Sequence, residues 1–479
     1  MQAPKNPFLA RIWNSPTITT WGSFITKSLY AIAILPIITT KFPQQDITVW
    51  LMLNIFIGFQ GLADLGFSNT FIRVISYAVG GLKKIEKFDS DTKLERKEGP
   101  NWELVERIYA TTSKMFLYLA FLFTVAFLIF GFLGLKKPIS LTNESIYGWL
   151  SFAVVVVVTF FNIYYSKYNI FLQGVNKIAL LRRWETFFSL GSIVALFIVL
   201  SVSNSYFYLI LTQQIFALLS IFRNRYLTRR YNEGIVTTFK TLKMDKELLK
   251  SLFPAAWRSW LGVMMSYGVV QVSGIIVGQS SNSAMTSSYL FTLRLLDLIK
   301  NFSIAPFYSK IPLMSRLFAE NKKNEILGLA RQGMFLSLSV FAIATVGLGL
   351  MGNILLGMIH SHITLVSGPL YLLLVLAFYT ERYGAMHIQL HSLTNNIVWH
   401  IANGITGIIF ILTTILLMRY TNLGIISYPI GMLAGNLLFY CWYTAYHSYS
   451  FFKMNFITFE TKSSLLPTII ILVYLFFNI

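Results

Sequence analysis

Residues 335–350 read FLSLSVFAIATVGLGL, and this uncharged apolar stretch decides the fold of the chain. Comparable stretches are AVVVVVTFF at 153–161 and IIFILTTILLM at 408–418. Such runs are too apolar and too frequent for the interior of one soluble domain, and they lack the polar–apolar alternation of membrane β-strands. Because helices satisfy their own backbone hydrogen bonds within a bilayer, we predict an all-α polytopic membrane protein.

The same pattern along the chain predicts about 12 membrane-spanning helices. An uncleaved signal anchor at 18–40 is the first of them. A further apolar run at 465–479 is short for a bilayer core of about 30 Å, so it either spans incompletely or lies along the interface. The predicted spans are 18–40, 47–70, 113–135, 147–168, 185–203, 206–222, 252–278, 284–306, 332–356, 363–382, 396–418 and 424–447.

The chain carries 479 residues and a formal net charge of +20, although only 12% of its residues are charged. Lysine and arginine cluster in the connections at 83–107, 177–183 and 223–230, whereas the alternate connections hold few of them. By the positive-inside rule this asymmetry predicts a cytoplasmic N-terminus. Contact between a basic cytoplasmic face and anionic membrane lipids also explains the high positive net charge, so no nucleic-acid partner is expected.

The two halves of the chain repeat short patterns in the same order. WGSF at 21–24 parallels WRSW at 257–260, LADL at 62–65 parallels LLDL at 295–298, and MFL occurs at 115–117 and 334–336. We therefore predict two six-helix lobes in parallel repeat around a central cavity. The predicted boundaries are 1–230 for the N-terminal lobe, 231–450 for the C-terminal lobe and 451–479 for a C-terminal apolar segment.

Three cations, Lys27, Arg258 and Arg294, lie inside apolar spans, where a charge costs about 2.5 to 3.5 kcal/mol. They fall on the first, seventh and eighth spans, which are expected to line the cavity. An anionic substrate would offset that cost. The alternatives are that Arg294, Asp297 and Lys300 neutralise one another along their helix, that Lys27 pairs across helices with Asp64, and that Arg258 extends to the interface.

Two further cations and three acids are candidates near the same spans. Arg73 and Lys300, close to the inner helix ends, either bind substrate, extend to the interface or close an inner gate. Asp64, Asp297 and Glu381 are candidates for ion coupling or gating, although Glu381 could instead pair with the adjacent Arg382. No Gly-Lys dipeptide occurs, which excludes a Walker phosphate loop, so we expect transport driven by membrane potential or an ion gradient.

Sugars need aromatic and hydrogen-bonding surfaces, and several such side chains lie on the expected lining, although interface anchoring or packing would explain the aromatic ones equally well. These candidates are Tyr30, Trp257, Trp260, Tyr267, Gln271 and Tyr289. His387 and His391 have metal-ligand spacing but lack a third ligand, and no nucleophile constellation stands out. We therefore expect no metal, no cofactor and no enzymatic activity.

The stretch GLADLGFSNTFIR at 61–73 resembles the Asp-Leu-Gly followed by Arg of Wzx-type polysaccharide exporters, and LQG at 172–174 extends that resemblance. These exporters belong to the multidrug/oligosaccharidyl-lipid/polysaccharide (MOP) exporter superfamily. The resemblance implies two bundles around a V-shaped cavity in the bacterial inner membrane. It also implies a monomeric flippase that moves an undecaprenyl-diphosphate-linked oligosaccharide, such as an O-antigen precursor for lipopolysaccharide, to the outer leaflet.

In the related lipid II flippases, cations of the first and eighth spans hold the diphosphate, and by location these would be Lys27 and Arg294. The resemblance further implies association with polysaccharide polymerase machinery. Two alternatives stay open. One is a multidrug/cation antiporter of the same superfamily, which would place unpaired acids in its cavity. The other is a membrane polysaccharide polymerase, which would need larger outer loops than this chain offers.

Overall fold

The computed structural model describes residues 13, 16–63, 66–82, 98–239, 244–265, 269–280, 283–308, 310–319, 322–366, 368–394 and 398–478. These residues are overwhelmingly helical, which confirms the predicted all-α fold. Packing divides the chain into two compact units, Met1–Leu261 and Gly262–Ile479, which we call unit 1 and unit 2. The lobe boundaries given above rest on the internal repeat, which this division by packing does not test, so they stay predictions.

The described part of unit 1 contains seven helices and most of an eighth, which continues into unit 2. Short connections join most of them, and α4 is much longer than a bilayer core requires. The helices are α1 Pro16–Lys41, α2 Gln44–Phe59, α3 Phe67–Val79, α4 Trp102–Ser140, α5 Ser145–Gly174, α6 Ile178–Val202, α7 Tyr206–Arg229 and α8 Lys246–Val263.

The second predicted span, 47–70, is broken in the structure. Helix α2 passes into a single 3₁₀ turn at Gln60–Leu62, and the chain then begins a separate helix, α3. The residue before α3, Gly66, has a φ of 72°, a left-handed conformation that glycine adopts without steric cost. The predicted span ran through this break because the apolar residues on its two sides, such as Leu62 and Phe67, were interpreted as one run.

The core of unit 1 joins α3, α4 and α5 to the first turns of α8. Its aromatic members include Phe71 on α3, Phe116 on α4 and Phe171 on α5, and Leu252 of α8 packs with them. Asp245 caps the start of α8, because the backbone N–H of Leu248 donates to its Oδ1 at 3.0 Å. The beginning of the predicted seventh span is therefore packed in unit 1.

Unit 2 holds the rest of that predicted span and the remaining helices that the structure describes. A π turn follows α8, and α9 begins at Val269, with residues 266–268 outside the described part of the chain. The helices are α9 Val269–Ser280, α10 Ser283–Ser303, α11 Ala305–Tyr308, α12 Ile311–Ala319, α13 Lys323–Met358, α14 Pro369–His391, α15 Trp399–Tyr420, α16 Ser427–Gly435, α17 Cys441–Phe452, α18 Phe456–Ser463 and α19 Leu465–Asn478.

Helix α14 is the central helix of unit 2 and contacts α10, α13, α16 and α17. A π-helical turn, Asn436–Tyr440, joins α16 to α17 and lies directly against α14. The side chain of Asn436 donates to the backbone carbonyl of Ala377 at 2.8 Å, and the ring of Tyr440 covers Gly384 so closely that a Cβ there would lie 2.5 Å from it. Helix α14 is therefore packed by neighbours on several sides.

The C-terminal apolar run is helical and packed within unit 2. Helices α18 and α19 are bent by 62° at their junction and pack against α13. The hydroxyl of Tyr379 on α14 lies 2.7 Å from Thr468 Oγ1 on α19, and the ring of Tyr474 covers Gly349 on α13. This segment is thus integrated with the other helices of its unit.

Within the described ranges, 7 helices are long and apolar enough to cross a membrane, and the bent α18–α19 pair would make 8 if it forms one broken span. The seven are α4, α5, α6, α7, α13, α15 and the joined segment Gly424–Phe452.

Candidate functional site

Helix α10 carries Arg294, Asp297 and Lys300 at three-residue spacing, so all three lie on one face of the helix. The Oδ1 atom of Asp297 lies 3.3 Å from the ammonium of Lys300. Its other oxygen accepts a hydrogen bond of 3.2 Å from the side chain of Asn301. Asp297 is therefore engaged toward the C-terminal end of α10, away from Arg294.

A second carboxylate reaches Lys300 from α14. Glu381 Oε2 lies 3.4 Å from Lys300 Nζ, and the two side chains are 25% and 17% exposed. The expected pairing of Glu381 with the adjacent Arg382 is not the one formed, since neighbouring helix positions face different directions. Arg382 is buried and acts electrostatically on Lys300. Together with Asp297 these groups form a cluster of two cations and two carboxylates, which is formally neutral.

Arg294 stands apart from this neutral cluster. It lies mid-way along α10 and is half-buried, and no carboxylate of the described part of the chain lies within 4.0 Å of its guanidinium. The alternative in which Arg294 is neutralised along its own helix is therefore not seen, because Lys300 and Asn301 occupy Asp297. Arg294 is a half-buried cation that lacks a protein counter-charge among those residues.

Lys27 lies on α1 of unit 1, and its side chain falls outside the described part of the structure. One turn earlier on the same helix, Ser23 is buried and donates to Glu185 Oε2 at 3.0 Å. The same carboxylate oxygen accepts from Arg182 at 2.8 Å. The carboxylate of Glu185, which contacts this turn of α1, is therefore already paired with Arg182. Tyr30 is on α1 as well, with its side chain likewise outside the description.

The other predicted residues of unit 1 lie on α3 and α8. Arg73 is exposed on α3. Arg258 is exposed on α8, and no described carboxylate lies within ion-pair distance of Arg258. The rings of Trp257 and Trp260 are 4.9 Å apart, and that of Phe253 stacks on Trp257 at 6.5 Å. Trp257 is 45% exposed, so this aromatic row on α8 offers surface for a ligand. Asp64 and Tyr267 lie outside the described residues.

The remaining predicted sugar contacts are in unit 2. Gln271 is half-buried on α9. Tyr289 on α10 is 0% exposed, with its hydroxyl 3.5 Å from Ser273 Oγ and its ring 6.5 Å from that of Tyr428. Tyr289 is a packing residue in this conformation, and a sugar contact there has no support.

Sequence reasoning missed a polar centre built around His387. This side chain is 0% exposed, with Nε2 3.4 Å from Glu460 Oε1 and Nδ1 2.7 Å from Ser448 Oγ. The hydroxyls of Tyr383 and Tyr449 both donate to Glu460 Oε1. A carboxylate in the otherwise apolar C-terminal segment was the available signal, since Glu460 needs buried partners. In the part of the chain that the structure covers, no three His, Cys, Asp or Glu side chains could hold a metal ion.

No protein-family model matches this chain, and no curated protein matches it either. Solved structures do. An inward-facing MATE family multidrug resistance transporter of the MOP superfamily has a TM-score of 0.62 at 13% identity, covering 94% of this chain and 100% of its own. The lipid II flippase MurJ in an inward closed conformation has a TM-score of 0.60 at 13% identity, covering 97% of each chain. An outward-facing MATE structure gives 0.55 at 14%, covering 96% and 100%.

At 13% to 14% sequence identity, these comparisons show similarity of fold alone. The predicted class of about 12 spanning helices is confirmed by likeness over nearly the whole length of both kinds of transporter. The chain is a multi-pass, all-helical membrane protein with the fold of these transporters.

Proposed function

We propose that this protein is a flippase that moves an undecaprenyl-diphosphate-linked oligosaccharide from the cytoplasmic to the outer leaflet of a bacterial inner membrane. The observation that carries the proposal is Arg294, a half-buried cation on α10 for which the described residues supply no carboxylate. The likeness to a structure titled as a lipid II flippase supports the same class of cargo. The protein acts as a transporter and not as an enzyme.

A diphosphate is the chemistry that suits Arg294. Its guanidinium presents paired donors that match two phosphate oxygens, and such charge-assisted bonds are about twice as strong as neutral ones. An anion crossing about 30 Å of hydrocarbon needs a positive charge on its way, whereas a polyprenyl tail can stay in lipid. Lys27 on α1 is the second cation assigned to the diphosphate, and Trp257 and Trp260 are assigned to the sugars.

The membrane potential is the proposed driving force. Moving one charge through it changes the free energy by about 2.3 kcal/mol per 100 mV, so an outward step of a doubly negative diphosphate gains about 4.6 kcal/mol from an inside-negative cytoplasm. Asp297 and Glu381 keep a proposed role in gating, because their ion pairs with Lys300 tie α10 to α14. Arg73 and Arg258 are assigned to the cytoplasmic approach of the substrate, with the N-terminus cytoplasmic.

A multidrug/cation antiporter is the second candidate function, since two of the similar solved structures are multidrug resistance MATE family transporters. A transporter of cations needs a carboxylate that is free to bind them. In unit 2 the two acids predicted for coupling, Asp297 and Glu381, are both bound to Lys300. The flippase is therefore the better-supported proposal.

Replacing Arg294 in cells separates the two functions. Arg294→Ala should abolish surface polysaccharide and leave lipid-linked repeat units in the cytoplasmic leaflet, whereas Arg294→Lys should retain part of the export because a charge remains. Arg419→Ala is the matched control, since Arg419 is exposed in the last turn of α15. Normal polysaccharide in the Arg294→Ala strain together with altered drug resistance would favour the antiporter.

A further inference from the structure

Lys167, a buried cation far along α5 in unit 1, has no assigned role. Lys167 is only 5% exposed, and no carboxylate of the described residues lies within ion-pair distance of its ammonium. Its ammonium donates to Ser113 Oγ on α4 at 2.8 Å. A buried ammonium is costly without a compensating negative group, so these neutral contacts leave most of its charge unbalanced.

Aromatic rings surround the ammonium of Lys167. It lies 3.8 Å from the ring centroid of Tyr164 and 5.6 Å from those of Tyr165 and Tyr168. The ring faces carry partial negative charge, which attracts a cation, although more weakly than a carboxylate does. The rings also fix the position of the lysine, since Tyr165 and Tyr168 are stacked with an interplanar angle of 10°.

Two further cations act on Lys167 from the neighbouring helices. Lys114 lies on α4 next to Ser113, which contacts Lys167, and Arg225 lies on α7, and both helices pack closely along α5, so both cations act on Lys167. Lys114 is exposed, and Arg225 has a buried Nε that lacks a hydrogen-bond partner. Neither has a carboxylate within ion-pair distance in the described ranges. Like charges on three adjoining helices repel one another, and an anion with several oxygen atoms lying among them would offset that repulsion.

The apolar surface that adjoins these cations indicates the kind of anion. A row of rings runs back along α5 from Tyr168 through Tyr165 to Phe161, whose ring is parallel to that of Tyr165 within 9°. Phe161 is partly exposed, and Phe121 of α4, which packs beside Phe160, is more exposed still. A cationic end followed by an exposed apolar and aromatic strip matches the two parts of a phospholipid, the phosphate and the hydrocarbon chain.

We infer that Lys114, Lys167 and Arg225 form a binding site for the phosphate of an anionic membrane lipid, with the aromatic row on α5 contacting its hydrocarbon chain. The site lies wholly within unit 1 and involves neither Arg294 nor Lys27. It is therefore separate from the diphosphate contacts proposed above, and its failure would leave the flippase proposal unchanged. A bound lipid would hold the α4, α5 and α7 ends together by neutralising their mutual repulsion.

Native mass spectrometry of the full-length protein, delipidated and titrated with phosphatidylglycerol, tests this inference. Lys167→Met should weaken phosphatidylglycerol binding by about tenfold or more, since each charge-assisted contact is worth at least a factor of that order. Arg225→Gln, which leaves the buried lysine in place, should weaken it in the same direction. Lys136→Met is the matched control, because Lys136 is an exposed lysine toward the other end of α4 and should leave binding unchanged.

Two parallel titrations define the ligand class. Phosphatidylcholine, with its zwitterionic headgroup, should bind the wild-type protein more weakly than phosphatidylglycerol and should not discriminate between the wild type and Lys167→Met. Inorganic phosphate at equal concentration should not compete. The inference is overturned if Lys167→Met and Arg225→Gln both bind phosphatidylglycerol like the wild type, or if inorganic phosphate displaces the lipid. In that last case the site would take free phosphate.

Discussion

The ammonium of Lys300 lies 3.4 Å from Glu381 Oε2 and so ties α10 to α14, the central helix of unit 2. Asp297 completes the contact from within α10 at 3.3 Å. Because Lys300 takes both acids, Arg294 on the same helix face is left without a carboxylate among the described residues. The arrangement therefore separates a structural cation from one available to an anionic ligand.

Replacing Glu381 by glutamine should lower the free energy of unfolding by about 1 to 2 kcal/mol, since Lys300 is partly buried but keeps Asp297. The thermal midpoint in detergent measures this change. Glu325→Gln is the control, because Glu325 is exposed in the first turn of α13 and should have little effect. A double-mutant cycle with Lys300→Met should show coupling between the two positions. Strictly additive effects would show that the ion pair contributes nothing.

Gly349 on α13 offers a test of how firmly α19 is packed. A Cβ there would overlap the hydroxyl of Tyr474 and lie 2.8 Å from Tyr371 Cε1. Gly349→Ala should therefore destabilise the protein by about 1 to 3 kcal/mol through overpacking. Gly347→Ala, two residues earlier in the same helix, meets nothing within 4 Å and should be neutral or slightly stabilising. Equal thermal midpoints for the two variants would contradict the packing of α19 on α13.

The pairing of His387 with Glu460 should hold α18 in place. His387→Ala would leave the buried carboxylate of Glu460 without its contact to the imidazole, and losing a hydrogen-bond partner of a buried charged group costs about 1 to 3 kcal/mol. Amide hydrogen exchange should then rise throughout Phe456–Ser463 before the rest of unit 2 is affected. Adding Glu460→Gln to His387→Ala should restore much of the protection, since the unpaired charge is gone. Protection that is unchanged in His387→Ala would show that the pair is not needed there.

Asp245, which lies between α7 and α8, provides a pH dependence outside the spans. Burial raises the pKa of its carboxyl, but the N–H of Leu248 and the guanidinium of Arg107 lower that pKa further, so the net pKa shift is downward. Its stabilisation is therefore present at neutral pH and lost as the pH falls through the folded-state pKa. Asp245→Asn keeps a capping oxygen but loses the charge.

The difference in unfolding free energy between wild type and Asp245→Asn should be at most about 1 kcal/mol at neutral pH, because Arg107 is half exposed. It should shrink as the pH is lowered below the usual carboxyl range near about 4. Chemical denaturation in detergent across this range measures it. A difference that grows toward acid pH would contradict the assigned direction of the pKa shift.

The sequence was sufficient to predict the fold class and to locate the candidate cations along the chain, because apolar runs and isolated charges are local features. It predicted that Asp297 and Lys300 could pair, since they lie three residues apart on one helix. It could not predict Glu381 as the second partner of Lys300, or Glu460 as the partner of His387, since each contact joins helices distant in the chain. The break before α3 was also missed. Apolar residues lie on both sides of the left-handed residue Gly66, and they were interpreted as one span.

Lys167 shows a different limit of the pattern. The lysine lies among tyrosines, where the predicted span 147–168 ends, and such a position is typical of a side chain that extends to the interface. The structure buries it instead, with rings on one side and Ser113 on the other. Burial depends on how α4 and α5 pack, and the composition of α5 alone does not determine that packing.

The most direct test of the account measures transport of a fluorescently labelled undecaprenyl-diphosphate-linked oligosaccharide across vesicles that contain the purified protein. Wild type should move the lipid, and an imposed potential, negative on the side from which it starts, should accelerate it. Arg294→Ala should lose at least about tenfold in rate, while Arg419→Ala should match the wild type. Undiminished transport by Arg294→Ala, with protein correctly folded and inserted, would contradict the proposal that this cation carries the diphosphate.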